Sequence, residues 1–308
     1  MQKKGELSRT GINILLVVLI LAVIIIIWFV VKGETNSENQ EVFNNSENSE
    51  NSNNNLFNRN TGAIIADHNA ARDFDIIPSC WIEEAKKQFR VAYQHTSHGS
   101  QISSGIEYLE NNIDSSLYSF GDSGTNKLYF ADYAMGGGDL GGDWEPPTRS
   151  YLNKNPETNT IMWSWCGQVS EYTNYESMSN HYLEPAEEII LNYDVNFVYM
   201  TGHLEGTGIE GDAYTANNII RQHVNDVNGI LFDFADIESY SPDGKYYPNE
   251  SDACEWCEDW CEKHPSDCEN LPGCAHSHGF NCIQKGKAFW WMMARMAGWD
   301  GTASDKCP

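Results

Sequence analysis

Residues 89–105 read Phe-Arg-Val-Ala-Tyr-Gln-His-Thr-Ser-His-Gly-Ser-Gln-Ile-Ser-Ser-Gly. His95, Ser97, His98 and Ser100 follow a short apolar run directly, and each can carry or relay a proton. A serine hydroxyl is a weak nucleophile at neutral pH. Acyl transfer from it needs a base within hydrogen-bonding reach, usually histidine, and donors that hold the developing oxyanion. Further groups of the right kind recur along the chain: a glycine loop at 135–143, Cys166-Gly167-Gln168, Thr201-Gly202-His203, Asp236 with Glu238, and Cys274-Ala275-His276-Ser277-His278. In this reading Ser97 attacks and His276 takes its proton. The N–H groups of Ser97 and of Gly137 or Gly138 hold the oxyanion together with the Gln168 amide.

Positioning these residues requires elements that end beside one another. Strands are expected at 90–94, 127–133, 160–165, 195–201 and 230–234, all short and bounded by turn residues. Helices are expected at 81–88, 102–112, 185–192, 215–227 and 284–297, the last stopped by Gly298. Alternating strand and helix predicts an α/β fold whose mostly parallel sheet is covered on both faces. In such a sheet the loops that follow the strands gather along one edge, so the reactive residues share it. The apolar stretch Ala288–Ala294 is too short to cross a bilayer and reads as core.

The order of these motifs resembles the SGNH (GDSL-type) hydrolase superfamily over roughly residues 89–298. That superfamily carries its serine after the first strand, a glycine after the second, an amide side chain after the third and a histidine before the last helix. Ser97, one of Gly136 to Gly138, Gln168, and His276 or His278 fill those places. Three departures stand out. His95-Thr96-Ser97 replaces Gly-Asp-Ser, Gln168 replaces Asn, and the Asp three residues before the catalytic histidine is absent, Gly273 and Ala275 standing there instead. The histidine's orienting partner is then Asp236, Glu238, a backbone carbonyl or nothing. The strings His-Thr-Ser-His-Gly-Ser, Trp-Cys-Gly-Gln-Val-Ser and Cys-Ala-His-Ser are also similar to those of a poorly characterised group of secreted prokaryotic proteins. The resemblance implies a three-layer α/β/α sandwich with a flavodoxin-like sheet. It also implies an esterase acting without cofactor or bound metal on an acylated small molecule or a cell-surface polysaccharide, for example as a carbohydrate O-deacetylase.

The same residues admit other roles. Ser100 and Ser97 are suited to capping the helix that follows. His98 and His203 suit supporting hydrogen bonds. His95, His98, His203, His276 and His278 together are enough to ligate a metal, since a catalytic zinc needs three protein ligands and a water, which would make the protein a metal-dependent hydrolase. The Trp and Tyr content and the missing Asp suit a surface module that binds glycans without catalysis.

The chain has 308 residues, a formal charge of −25 and 41% hydrophobic residues. Such acidity excludes nucleic acid as a partner, because phosphates are bound by Lys and Arg. Residues 14–31 are uncharged and almost wholly apolar after Lys3, Lys4 and Arg9, the pattern of an uncleaved membrane anchor with a cytoplasmic stub over 1–32. Residues 33–60 are rich in Asn, Ser and Glu and are expected to form a disordered tether. The globular domain is expected over 61–308, outside the cell, with a Cys-rich insertion at about 245–282. Acceptor triplets for N-glycosylation occur at Asn44 and Asn249. In an oxidising exterior the six cysteines at 254, 257, 261, 268, 274 and 282 are expected to form three disulfides in an unspecified pairing. A Cys80–Cys307 bond would tie the domain's ends together and leave Cys166 free.

Overall fold

A computed structural model describes residues 57, 62–140, 142–304 and 306–307, all within one compact unit spanning 54–308. The expected anchor at 14–31 lies outside the described residues. So does the expected tether, apart from Phe57, whose N–H donates to Asn196 Oδ1 at 2.7 Å. No helix among the described residues is long and apolar enough to cross a membrane.

Seven strands form one sheet: β1 Ile64–Ala66, β2 Arg90–His95, β3 Phe120–Gly121, β4 Leu128–Asp132, β5 Thr160–Ser164, β6 Asn196–Met200 and β7 Ile230–Phe232. Their order is β1-β7-β6-β5-β2-β4-β3, and every ladder is parallel. The protein is therefore α/β, as the alternating pattern suggested. Strands β5 and β6 are buried at every position, as continuous apolar strands are when helices cover both faces.

Strand β2 is the switch point, because the chain leaves it toward β4 on one side and later returns to build β5, β6 and β7 on the other. Right-handed crossovers then put the intervening helices on opposite faces. The last helix, Gly279–Met296, packs on helices Ser100–Asn112, His68–Arg72 and Ser79–Gln88, whereas helix Glu145–Lys154 packs on Glu184–Tyr193. Phe289, Trp290, Met292 and Met293 are wholly buried, so the aromatic end of the last helix is core.

Several boundaries differ from expectation for local reasons. Strand β7 ends at Phe232 because the Asp233 side chain accepts from Asp236 N and starts helix Phe234–Ser239. The last helix begins at Gly279, five residues early, because His278 Nδ1 accepts from Phe280 N at 3.2 Å. Strands β1 and β3, three and two residues long, are too short to carry a periodic signal. Helix Glu145–Lys154 tolerates its two prolines because they occupy the first turn, where no N–H partner is lost.

Helix Ser100–Asn112 meets the last helix backbone to backbone. A Cβ added to Gly105 would stand 1.9 Å from Cys282 O, and one added to Gly286 would stand 2.4 Å from the Gly105 carbonyl carbon. Only glycine at both positions permits this approach. The contact also sets the spacing of the loops that precede the two helices, which carry Ser97 and His276. Gly286→Ala should lower stability by about 1–3 kcal/mol and lower any activity that depends on those loops. A denaturant midpoint unchanged from wild type would contradict this.

Candidate active site

The turn after β2 is braced from within. Tyr93 Oη donates to Gly99 O at 2.9 Å. Ser100 N and Ser100 Oγ both donate to Ser97 O, at 3.2 Å and 2.6 Å. The helix cap is Gly99, without a side-chain bond, so Ser100 secures the turn and does not cap the helix as expected. Among the described residues no backbone acceptor takes the N–H of Ser97, His98 or Gly99. A turn of this kind at a strand's carboxyl end leaves backbone donors free for a ligand.

Ser97 and His276 meet although 179 positions separate them: Ser97 Oγ and His276 Nε2 stand 2.9 Å apart, within hydrogen-bonding reach, and the pair is exposed. His276 has φ +62°, an uncommon conformation that costs about 1–3 kcal/mol unless the surroundings impose it. Here they do. Gln101 Nε2 donates to Ala275 O at 2.6 Å, His278 N donates to Ala253 O at 3.2 Å, and the Cys274–Cys282 disulfide closes the loop.

A buried network lies beneath. Lys285 Nζ bonds Glu238 Oε1 at 2.8 Å, with both side chains fully buried, and also bonds Gln101 Oε1. Glu238 Oε2 accepts from Leu204 N at 2.8 Å. Burial lowers the Lys285 ammonium's affinity for its proton, and Glu238 opposes the shift. One ion pair thereby anchors the loops bearing His203 and His276.

The histidine's expected acidic partners are engaged elsewhere. Asp236 accepts from His68 N at 3.0 Å and sits 2.5 Å from His68 Nδ1, and Glu238 belongs to Lys285. The Asp236 assignment is thus corrected: its position one turn into helix Phe234–Ser239 turns it toward helix His68–Arg72. Stacking positions the His276 ring instead. His98 lies face to face with His276 at 4.4 Å and with His203 at 3.9 Å, tilted by 16° and 5°.

His98 is the middle ring of this stack. Its Nε2–H donates to Asp252 Oδ2 at 2.8 Å, and its Nδ1 stands 3.2 Å from Cys166 Sγ. Burial, then the neighbouring His203, hold its pKa down to about 4 against the pull of Asp252, so the ring is neutral at pH 7. Between pH 6.5 and about 4 the unfolded chain binds a proton here that the folded chain refuses, so stability falls as the pH drops through that window. His98→Gln should flatten this part of the melting-temperature profile. Curves that stay parallel from pH 7 to pH 4 would contradict the assignment.

The other expected residues divide. His203 Nδ1–H donates to Leu204 O at 2.8 Å. His95 is buried against Asp132 Oδ1 at 2.8 Å and Thr96 O at 2.6 Å, and so supports β4 and not the Ser97 hydroxyl. His278 caps the last helix. Within the glycine loop, Gly138 N donates to Asp143 O at 3.4 Å, a weak bond that competes with an oxyanion role. Met135 N and Gly136 N both donate to Gln94 Oε1, and Gly137 lies in the left-handed region at φ +101°. Asp139, in the same loop, accepts from Cys166 N at 3.1 and 3.2 Å and was missed because it lies in a glycine-rich stretch read for its backbone alone. Gln168 Oε1 is buried without a partner, leaving an acceptor that a ligand hydroxyl or water can satisfy.

His98, Cys166 and His203 bring ligand atoms within 4.8 Å of one another, as do His98, Asp252 and His276. An imidazole holds a metal in its own plane at about 2.0–2.1 Å, and an ion between two parallel rings lies outside both planes. The stacked faces therefore suit packing better than shared ligation. In a third set, Asp67, His68 and Asp236, Asp67 Oδ1 already accepts from Asn69 N and Ala70 N.

Disulfides join Cys80–Cys307, Cys254–Cys257, Cys261–Cys268 and Cys274–Cys282, and Cys166 alone is free. A cavity of about 240 Å³ is lined by Leu204 and Glu205, which follow His203, and is flanked by Tyr214, Tyr240 and Tyr246.

The fold and site define an α/β protein with a Ser97–His276 contact and a histidine stack at the carboxyl edge of a parallel sheet. No family model matches the sequence, and no similar protein was found among curated ones.

Proposed function

We propose that the chain is an ester hydrolase working by acyl transfer, with Ser97 as nucleophile and His276 as general base. The observation that carries this reading is the 2.9 Å contact between Ser97 Oγ and His276 Nε2. Ser97 Oγ attacks the ester carbonyl while its proton passes to Nε2. The N–H groups of the 97–99 turn and the Gln168 amide take the oxyanion. Collapse expels the alcohol, which leaves with the proton from Nε2, and water then releases the acid by the same route in reverse. Neutral His98 beneath the ring adds no positive charge opposing the imidazolium.

The order β4-β2-β5-β6-β7 corresponds to the 2-1-3-4-5 order of flavodoxin-like sheets, which supports the three-layer SGNH-like reading. The substrate proposed is an acylated small molecule or cell-surface polysaccharide. The membrane-anchored, extracellular location belongs to the same proposal and rests on residues 1–32. Purified chain should hydrolyse a small acetyl ester such as p-nitrophenyl acetate with saturation kinetics. Absence of turnover across acetyl, propionyl and butyryl esters would remove the proposal.

A second reading is favoured by the exposed ring of Tyr246 at the rim of the adjoining cavity, which stacks on Tyr240 at 4.7 Å while His68 covers the other face of Tyr240 at 3.9 Å. The outer face of Tyr246 offers a platform to a sugar, and the protein would then bind glycans without cleaving them. Saturable glycan binding with no ester turnover would distinguish it.

A further inference from the structure

Cys166 is the only one of nine cysteines outside a disulfide. It ends the turn after β5, is half-buried, and its backbone N–H is fixed by Asp139. Its sulfur faces His98 Nδ1 at 3.2 Å, and the opposite nitrogen of that ring faces Asp252 at 2.8 Å. A carboxylate can only accept, so Nε2 carries the proton and Nδ1 presents its lone pair to the thiol. Thiol, imidazole and carboxylate thus stand in the order that activates a nucleophile, whereas among the described residues no carboxylate is hydrogen-bonded to His276.

We propose that Cys166 is a second nucleophile of this strand-end site, with His98 as its base and Asp252 positioning His98, and that it accepts acyl groups from activated esters as a thioester. Sγ attacks the acyl carbon, the S–C bond forms, and the C–O bond to the departing alkoxide breaks. The thiol proton passes to His98 Nδ1 and from there to the alkoxide or to solvent. Nothing is oxidised or reduced. Against the pull of burial and His203, Asp252 on the far nitrogen raises the ring's basicity, so transfer of the thiol proton to Nδ1 draws on the carboxylate behind it. The inference is independent of the Ser97 reading, since it uses a different nucleophile, base and orienting group.

The test uses the full chain carrying Ser97→Ala, mixed with p-nitrophenyl acetate, quenched in acid and examined by mass spectrometry. The expected result is one acetyl group on the peptide containing Cys166, released by neutral hydroxylamine. His98→Gln in the same background should slow its formation by about a hundredfold. In the unmutated chain, iodoacetamide should alkylate Cys166 at pH 7 about tenfold faster than free cysteine, a readout that needs no variant to fold. Asp252→Asn should slow alkylation and shift its pH profile, which loss of packing alone would not do. No acetyl on Cys166, alkylation no faster than free cysteine, or a stoichiometric metal ion that shields the thiol until chelated would each overturn the proposal. Ester turnover by the unmutated chain without a Cys166 thioester removes this inference and leaves the Ser97 reading intact. A thioester with no turnover does the reverse.

Discussion

Ser97→Ala should reduce kcat/KM for acetyl esters by about a thousandfold or more while leaving the melting temperature within about 2 °C of wild type. Its hydroxyl is exposed and bonds only His276 Nε2, so its loss uncovers no buried polar group. Among the described residues no carboxylate is hydrogen-bonded to His276, Asp252 standing within 4.8 Å of it but bonded to His98, and this bears on the baseline. In serine enzymes, replacing the carboxylate behind the histidine costs up to about 10⁴-fold in kcat, and stacking on His98 orients the ring without stabilising the imidazolium. Steady-state turnover should therefore be slow even in the wild type. Steady-state kinetics with calorimetry on the same preparations separates a catalytic loss from an unfolded variant. Full turnover in Ser97→Ala would transfer the chemistry to another nucleophile.

The largest stability effect is expected at Lys285. Lys285→Met leaves the Glu238 carboxylate buried without its partner, and removing one member of a buried pair costs about 3–5 kcal/mol. In a domain of this size that corresponds to a fall in melting temperature of about 10 °C. The same substitution frees Gln101 Oε1 and leaves Leu204 N bonded to a carboxylate that has lost its counter-ion, so activity should fall even at temperatures where the variant stays folded. Replacing both partners by apolar residues, Lys285→Met with Glu238→Leu, should restore much of the stability and not the activity. Equal stability of wild type and Lys285→Met would show that the pair does not hold these loops.

Much of the fold was legible in the sequence because parallel strands buried on both faces are continuous apolar runs. The five core strands were each located to within two residues. Strands β1 and β3 escaped because two or three residues carry no period. The Ser97–His276 contact was also legible, since the carboxyl ends of parallel strands and the loop before the last helix must share an edge. What escaped was the contribution of segments with no strand-end position. Asp252 reaches His98 from the Cys-rich insertion, where Leu204 O accepts from its N–H at 3.1 Å. That pairing depends on loop packing, which has no periodicity to read. Asp236 was misplaced for a related reason. Its place after β7 is right for an orienting carboxylate, but Asp233 starts a helix there and turns residue 236 toward His68.

The partner missing from the sequence pattern was replaced by a different kind of support. A stack of three imidazoles positions rings through their faces and leaves their edges free for Ser97, Cys166, Asp252 and Leu204 O. With two nucleophiles bonded to adjacent rings, substitutions at His98 should couple to both, and simple additivity between Ser97 and Cys166 variants should fail.

The most direct test of Ser97 as nucleophile is covalent capture. Treating the chain with a fluorophosphonate and mapping the adduct by mass spectrometry should place a single phosphonyl group on Ser97, with labelling slowed about a hundredfold in His276→Ala. An unmodified Ser97 after prolonged exposure, in chain that hydrolyses acetyl esters, would contradict the account.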